Sequence, residues 1–375
     1  MNAEKQSAAF GNTAAEVKDR VSSDYLNALL REARKKFRLP AVAVTLMDST
    51  EIYRHEVQGV RVSDQQDRAT LDDYFHIGSC SKSVLTLIAA RIIAQQKIDW
   101  QTRFFQVFPE LAEDADEGYC HITLEDLFLC EAGIKAYTDA ETEPLPEYDD
   151  TVRDPRQAFI KELVTHAPAT DRQNGRFKHL YSNASYTMAS AMLERVAGLN
   201  YEDLVREHLT GALGLAFYIG WPNNIGNNQP WGHLISKNKV QALAPDHEYK
   251  MPYLITPAGD LSMTARDYAK YTQLHLRGLR GEENFISTEA FRYLHFGHDG
   301  FSLGIANGRF SDKRFSGFDG SAGTFFCRSI IVPQDDLALT VMMNAGNGTA
   351  SMKAVDWLTM KIIKKYYNWW WIFWL

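Results

Sequence analysis

The alternation of apolar and polar residues near the N-terminus predicts one helix followed by a pair of strands. Between Ser23 and Lys36 the apolar side chains recur at helical spacing, which is the pattern of an amphipathic helix. Two runs rich in β-branched and aromatic residues follow Pro40 and flank a polar turn at 48–50. Runs of this kind on both sides of a turn are typical of a β-hairpin, whose second strand should end at Gly59.

Apolar helices are predicted for the middle of the chain. From Ser79 to about Gln95 the residues are apolar on nearly every side, which indicates a helix buried inside the protein. A second helix is predicted from Asn183 to Ala197, and Gly198 follows it as a C-cap.

Strand-like runs return in the last third of the chain. Thr264 has the place of an N-cap before a helical stretch, and three apolar runs follow it: FSLGIANGRF, AGTFFCRSIIV and LALTVMMNA. Strands near both termini with helices between them predict an α/β (α+β) fold, with one sheet and an inserted helical region. We expect the sheet region at 20–76 and 256–367, the inserted region at 77–255 and a loose segment at 1–19.

The composition is typical of a globular protein and excludes two broad classes. The chain has 375 residues, of which 45% are hydrophobic and 23% are charged, so a disordered chain is not expected. The formal net charge is −7, whereas a protein that binds nucleic acid needs a basic face. We therefore expect no nucleic-acid partner.

The cysteines and histidines do not form the patterns of metal sites. Cys80, Cys120, Cys130 and Cys327 are scattered, and such cysteines are expected to be reduced, mostly buried thiols. The 11 histidines form no HExxH pattern, and the chain contains no GxGxxG or P-loop sequence. No metal and no organic cofactor is predicted.

The two ends of the chain allow more than one interpretation. The first 20 residues contain no apolar core of the signal-peptide type, which favours a cytoplasmic protein, although a mature exported chain would look the same. The last ten residues, YYNWWWIFWL, are too few to span a bilayer, which takes about 20 residues. A segment docked on the protein itself is favoured over contact with a second subunit or with a membrane.

The sequence FHIGSCSK carries the first candidate for chemistry. Ser79 begins the buried helix, where the helix dipole and free backbone N–H groups favour negative charge. Lys82 lies one turn further on the same face, and burial disfavours its charged form. A neutral amine beside a hydroxyl can take its proton and so activate the serine. Taken alone, the pattern fits equally well with an N-cap serine followed by a surface lysine.

The sequence LYSNASY, just before the second predicted helix, is the second candidate. A tyrosine hydroxyl such as that of Tyr181 can serve as general base and then as acid when it lies beside a lysine. Asn183 could hold a substrate amide or the lysine. The alternative is a buried aromatic residue next to a helix cap.

With these two motifs the chain resembles the class C β-lactamase and D,D-peptidase superfamily of penicillin-recognising serine enzymes, which includes esterases and D-aminopeptidases. Those proteins pair Ser-x-x-Lys with Tyr-x-Asn, and the similarity runs from about Leu39 to Asn347. The resemblance implies an antiparallel sheet built from both termini and flanked by helices. It also implies an acyl-enzyme on Ser79, with Lys82 and Tyr181 as general base and acid.

The third motif of the family, a Lys/His-Thr/Ser-Gly triplet on a strand that lines the site, has two candidates. His298 begins a triplet with the right letters, but the run after it resembles an earlier strand of the family. Phe318 begins the favoured triplet, which has the right surroundings but no basic side chain. By resemblance, Gly320 allows close approach, and the backbone N–H of Ser321 joins that of Ser79 in an oxyanion hole.

Three functions remain open from the sequence. The favoured one is hydrolysis of a small ester or amide, with esterase activity preferred because Phe318 cannot bind a substrate carboxylate. The second is a β-lactamase or a D-amino-acid peptidase or transpeptidase. The third is a degenerate relative that binds a ligand without turnover, although Ser79, Lys82 and Tyr181 are all present. The expected partner is a small ester, amide or peptide-like molecule.

Overall fold

The strands form one large sheet and three small ones. The structure, a computed structural model, describes residues 18–226, 228–236, 239–346 and 348–369. The strands are β1 (Ala41–Met47), β2 (Ile52–Gly59), β3 (Tyr74–His76), β4 (Arg172–Gln173), β5 (Arg176–Phe177), β6 (Phe217–Ile219), β7 (Gly232–Ile235), β8 (Val240–Leu243), β9 (Leu261–Thr264), β10 (Phe301–Ser302), β11 (Ile305–Phe310), β12 (Lys313–Ser321), β13 (Phe326–Val332) and β14 (Leu337–Met343).

The large sheet joins the two ends of the chain, as the sequence predicts. Its seven strands follow the order β10-β11-β12-β13-β14-β1-β2. Strand β1 pairs with β14 on one side and with β2 on the other, and both pairings are antiparallel. The predicted fold class is therefore confirmed. The hairpin of β1 and β2 is also confirmed, and its second strand ends at Gly59.

Helices cover both faces of this sheet. They are α1 (Ser23–Phe37), α2 (Ser81–Ala94), α3 (Phe104–Val107), α4 (Leu124–Leu129), α5 (Pro155–Thr165), α6 (Asn183–Ala197), α7 (Tyr201–Val205), α8 (Thr256–Gly259), α9 (Ala265–Leu279), α10 (Thr288–Phe296) and α11 (Gly348–Tyr367). Side chains alternate along a strand, so Val42 and Val44 of β1 join a core with α1 and α11, whereas Ala43 and Met47 join the core that contains α2. The central strands β1 and β14 are thus buried on both faces.

The two helices that carry the predicted motifs form as expected. Helix α2 is preceded by a 3₁₀ turn at Gly78–Cys80, and all but three of its residues are buried. Helix α6 begins after Ser182, whose side chain accepts a hydrogen bond from the Ser185 amide. It ends at Gly198, whose φ of 72° is left-handed, and glycine adopts this conformation without a Cβ clash.

Strand β12 was not predicted from the apolar pattern. Its sequence, KRFSGFDGS, contains two glycines and an aspartate, which are residues of low strand propensity. It forms nevertheless because it pairs with both β11 and β13. A Cβ at Gly317 would lie 2.3 Å from the Ser329 carbonyl oxygen, so the close approach of β13 requires glycine there.

Several predictions concern thiols and chain ends. All four cysteines are free, and Cys80, Cys130 and Cys327 are buried while Cys120 is exposed. Residues 1–17 and 370–375 lie outside the described residues, so the predictions of a loose start and a docked tail stay predictions. Among the described residues, no helix is long and apolar enough to cross a membrane.

A pair of histidines is buried between α9, α10 and β12. His275 Nδ1 lies 2.8 Å from His295 Nε2, and His295 Nδ1 lies 2.7 Å from the Ser316 hydroxyl oxygen. Both side chains are fully buried. Desolvation lowers the pKa of His275 to about 3 and lowers the pKa of His295 well below its usual value, the nearby His275 adding to the second shift. The pair is therefore neutral at neutral pH.

We predict that these histidines make the fold acid-sensitive. Below the unfolded pKa of about 6.5, the unfolded chain binds protons that the buried rings cannot accept, so the free energy of unfolding falls as the pH falls. Each such histidine should contribute a slope of ~1.4 kcal/mol per pH unit below about pH 6. The free energy of unfolding, measured with urea at several pH values between 7 and 5, should therefore depend on pH less steeply in His275→Phe than in the wild type, by about that amount. The exposed His166→Gln serves as control, and an unchanged slope in His275→Phe would contradict the account.

Candidate active site

Ser79 lies on a tight turn that contacts strand β12. Gly78, directly before it, has a left-handed φ of 53°. A Cβ on Gly78 would lie 2.5 Å from the Ser321 backbone nitrogen, which is too close for any side chain. Glycine at this position thus allows the turn to pack directly against the backbone of the strand.

Lys82 is buried below Ser79 and makes three contacts. Its side-chain nitrogen, Nζ, lies 3.3 Å from Ser79 Oγ. The same nitrogen donates to Asn183 Oδ1 and to the Ala258 carbonyl oxygen, both at 2.8 Å. Oxygen atoms from three separate parts of the chain thus surround this nitrogen, and Ser79 Oγ is one of them.

Asn183 links the lysine to a loop that lines the site. Its amide nitrogen, Nδ2, donates to the Tyr137 carbonyl oxygen at 2.9 Å. The Tyr137 N–H in turn donates to Glu143 Oε2 at 2.6 Å, although the φ of Tyr137 is +47°. A left-handed φ is unusual for a tyrosine, and these two hydrogen bonds hold the loop in this conformation.

Tyr181 contacts the lysine through its ring. Lys82 Nζ lies 4.7 Å from the ring centroid of Tyr181, and the ring also packs edge-on against Phe301. Within the described ranges, no hydrogen bond joins the Tyr181 hydroxyl to Ser79 or Lys82. The structure therefore brings Tyr181 to the predicted site. Its ring, and not its hydroxyl, contacts the Lys82 nitrogen.

The two predicted oxyanion-hole amides are neighbours. A Cβ on Gly320 would lie 2.0 Å from the Ile77 carbonyl oxygen and 2.8 Å from the Ser79 backbone nitrogen. The backbone of β12 thus lies directly against the turn that carries Ser79. The hydroxyl of Ser321 donates to the Gly346 carbonyl oxygen at 2.7 Å, so this side chain is held away from its own N–H.

Neither candidate for the third motif presents its side chain to the cavity beside Ser79. Phe318 is 3% exposed, and its ring packs against those of Tyr271 and His275. Alternate residues of a strand point to opposite faces, and an apolar ring is most stable in the core. His298 Nε2 lies 3.6 Å from Glu125 Oε1, also outside the cavity lining. The expectation that Phe318 contacts the substrate is therefore corrected.

A cavity of about 520 Å³ opens beside Ser79. Three segments form its walls: residues around 137–145, around 248–259 and 321–323. Its apolar lining includes Leu145, Met251 and Ile255, and its charged lining consists of Glu143, Glu248 and Lys250. This volume is in the range of sites for small molecules.

Two residues that support the turn carrying Ser79 were not predicted from the sequence. His76 is fully buried, and its Nε2 lies 3.0 Å from Asp260 Oδ1. His76 Nδ1 accepts a hydrogen bond of 3.2 Å from the Gly78 backbone N–H. This bond requires a bare Nδ1, so the proton is on Nε2 and points to Asp260. His76 lies three residues before Ser79, but its partner Asp260 is distant in the sequence, and no local pattern indicates that the two residues pair.

Strand β9 holds the same turn from the other side. The Ile77 N–H donates to the Leu261 carbonyl oxygen at 2.8 Å. The Ser81 hydroxyl donates to the Gly78 carbonyl oxygen at 2.7 Å and accepts from the Leu261 N–H at 3.2 Å. The position of Ser79 is thus fixed by hydrogen bonds on both sides.

Comparison with known proteins finds one family over nearly the whole chain. The family model described as Beta-lactamase matches residues 26–362. A curated relative, the unguisins hydrolase ungD of Aspergillus violaceofuscus (strain CBS 115571), is 20% identical over 253 residues, which are 64% of this chain and 42% of that protein. The match thus spans less than half of the relative's length.

Solved structures share the fold at low sequence identity. The octameric penicillin-binding protein homologue from Pyrococcus abyssi is 18% identical with a TM-score of 0.70, over 90% of this chain and 77% of its own. The class C beta lactamase from Rhodobacter sphaeroides is 18% identical with a TM-score of 0.69, over 90% and 99%. SurE is 18% identical with a TM-score of 0.73, over 92% and 76%.

We predict that His76 positions the nucleophile. Replacing His76 with alanine removes the acceptor for the Gly78 N–H, and one buried hydrogen bond contributes ~1 kcal/mol. We therefore expect Ser79 to react about fivefold more slowly with a fluorophosphonate probe. His76→Asn, whose Oδ1 can replace Nδ1 as acceptor, should react faster than His76→Gln, whose amide reaches towards Asp260 instead. Equal rates in the alanine variant and the wild type, with thermal melting as the check on folding, would contradict this role.

Proposed function

The chain belongs to the Beta-lactamase family of serine hydrolases, and on this premise we propose that it cleaves a small ester or amide through an acyl-enzyme on Ser79. The observation that carries the proposal is the arrangement around Lys82. Its Nζ lies 3.3 Å from Ser79 Oγ and has two other short contacts with carbonyl-type acceptors. This geometry suits an amine that removes the serine proton.

Acylation follows from these contacts. In the proposed reaction Lys82 takes the proton of the Ser79 hydroxyl while Oγ attacks the substrate carbonyl carbon. The carbonyl oxygen becomes negative and is stabilised by the N–H groups of Ser79 and Ser321, and one such donor contributes about 10²–10³ in rate in other enzymes. The bond to the leaving group then breaks, and the leaving group takes a proton from the Lys82 ammonium or through the Tyr181 hydroxyl.

Deacylation repeats these steps with water. A water molecule gives a proton to Lys82, directly or through the Tyr181 hydroxyl as a relay, and attacks the ester carbon, and the bond to Ser79 Oγ breaks as the serine regains its proton from Lys82. The acid is released and the enzyme returns to its starting state. The curated relative is named a hydrolase, which supports water as the acceptor over a second amine or alcohol.

Esters are the favoured substrates within this class. A β-lactam or a peptide C-terminus brings a carboxylate, and a charged hydrogen bond to it is worth about 1.5–3 kcal/mol. The triplet that begins at Phe318 has no cation to provide this bond, and the Phe318 ring lies in the core. A neutral ester has no carboxylate and so does not need a cation from this triplet.

A β-lactamase or a D-amino-acid peptidase or transpeptidase is the second candidate. The observation that favours it is Lys250, whose ammonium belongs to the cavity lining and could meet a carboxylate. In the structure this ammonium donates to the Pro245 carbonyl oxygen at 2.9 Å and lies 3.4 Å from Asn224 Oδ1. To bind a substrate carboxylate, the Lys250 ammonium would have to give up at least one of its contacts with these two neutral acceptors.

We predict that Ser79 is the nucleophile. Ser79→Ala should abolish both labelling by a fluorophosphonate probe and turnover of p-nitrophenyl esters, nitrocefin and D-amino-acid amides, because Ser79 belongs to the cavity lining and its hydroxyl contacts Lys82. Peptide mapping of the labelled wild type should place the probe on Ser79. Ser81 lies two residues away with its hydroxyl bonded to Gly78, and Ser81→Ala should still be labelled on Ser79, although more slowly because the turn loses the hydrogen bonds of this hydroxyl. Labelling at Ser81 or Ser321 would show that the assignment is wrong.

We predict that Lys82 and Tyr181 move protons as one unit. Lys82→Ala and Tyr181→Phe should each lower kcat by at least ~10²-fold, the usual contribution of general acid–base catalysis. The double variant should lose far less than the product of the two effects. Tyr181→Phe keeps the ring against Lys82 and removes the hydroxyl alone. Near-normal kcat in this variant, with Lys82→Ala inactive, would assign the tyrosine a packing role and contradict its proton transfer.

A further inference from the structure

We propose that the natural substrate is an ester or amide that carries a positive charge, such as an amine, on the part that lies against residues 136–152. This proposal rests on the proposed function and adds the charge of the substrate to it. It is carried by the charges of one cavity wall and by the fixed position of a single carboxylate.

The segment 136–152, part of which forms one wall of the cavity, is strongly acidic. It contains no lysine or arginine, although Lys135 and Arg153 flank it, and it contains six carboxylates: Asp139, Glu141, Glu143, Glu147, Asp149 and Asp150. Of these carboxylates Glu143 belongs to the cavity lining, together with Tyr137, Thr138, Ala140 and Leu145. A cleft lined by one sign of charge concentrates ligands of the opposite sign and can raise their association rate by about 10–10³.

Glu143 is held at a defined position in this wall. Its Oε2 accepts the Tyr137 N–H at 2.6 Å, and the Tyr137 carbonyl oxygen accepts from Asn183, which contacts Lys82. The carboxylate is therefore connected to the catalytic lysine through three hydrogen bonds. Within the described residues its Oε1 has no hydrogen-bond partner, so this oxygen can accept one from a substrate ammonium.

Carboxylates outnumber ammonium groups in the cavity lining, where Glu143 and Glu248 are accompanied by Lys250. The amine of Lys82 is buried and used by Asn183 and Ala258. The ammonium of Lys250 donates to the Pro245 carbonyl oxygen. Glu248 also lines the cavity, and no ion pair to it occurs among the residues that the structure describes. The cavity thus disfavours an anionic substrate and favours a cationic one.

Three p-nitrophenyl esters with acyl chains of similar length test the proposal. They are the ester of γ-trimethylammoniobutyrate, its neutral isostere with carbon in place of nitrogen, and the monoester of adipate; nitrocefin is measured beside them. We expect kcat/KM of the cationic ester to exceed that of the neutral isostere by about tenfold at low salt, and the adipate ester and nitrocefin to be slower than both. The cationic preference should shrink as salt screens the charges.

Two variants assign the effect to the fixed carboxylate. Glu143→Gln keeps an acceptor for the Tyr137 N–H and removes the charge, so the ratio of cationic to neutral kcat/KM should fall towards one. Glu141→Gln, exposed on the same segment and outside the cavity lining, should keep most of that ratio.

The possible failures are distinguishable. If all esters acylate Ser79 but the neutral or anionic one is preferred, or if Glu143→Gln leaves the ratio unchanged, the inference is overturned and the proposed function stands. If no ester and no amide of the series acylates Ser79, the proposed function itself is wrong and the inference falls with it.

Discussion

The structure depends on the need to satisfy one buried amine. Lys82 is 1% exposed, and a buried amine without hydrogen-bond partners would be strongly unfavourable. Its acceptors come from three separate elements: Ser79 from the turn before α2, Asn183 from the start of α6, and Ala258 from α8. Because the same nitrogen contacts Ser79, the hydrogen bonds that satisfy this amine also place the proposed base beside the proposed nucleophile.

The turn that carries Ser79 is fixed by backbone contacts that tolerate no side chain. Gly78 and Gly320 pack against each other's chains, and this brings the amides of Ser79 and Ser321 together. The buried pair of His76 and Asp260 holds the Gly78 N–H. These groups are in place before any substrate arrives, which is the condition under which fixed dipoles stabilise a developing negative charge most effectively.

The sequence was most informative where the signals are local. The hairpin, the buried helix after Ser79 and the helix from Asn183 to Gly198 follow from periodicity and caps, and the two motifs meet as the family resemblance implies. Signals that depend on distant partners were missed. Strand β12 forms through pairing in spite of its glycines, and the direction of the Phe318 side chain depends on the core that it joins. His76 contacts Asp260, which is far away in the sequence. The contact of Glu143 with the Tyr137 N–H relies on the left-handed conformation of Tyr137.

The most direct test of the central claim is the mass of the protein during turnover. The enzyme is mixed with a slowly deacylated aromatic p-nitrophenyl ester, quenched with acid within the first turnovers, and measured intact and after peptide digestion. The account predicts a burst of nitrophenol equal to the enzyme concentration and a mass increase of one acyl group, located on Ser79. Turnover without any covalent adduct, or with the acyl group on another residue, would contradict it.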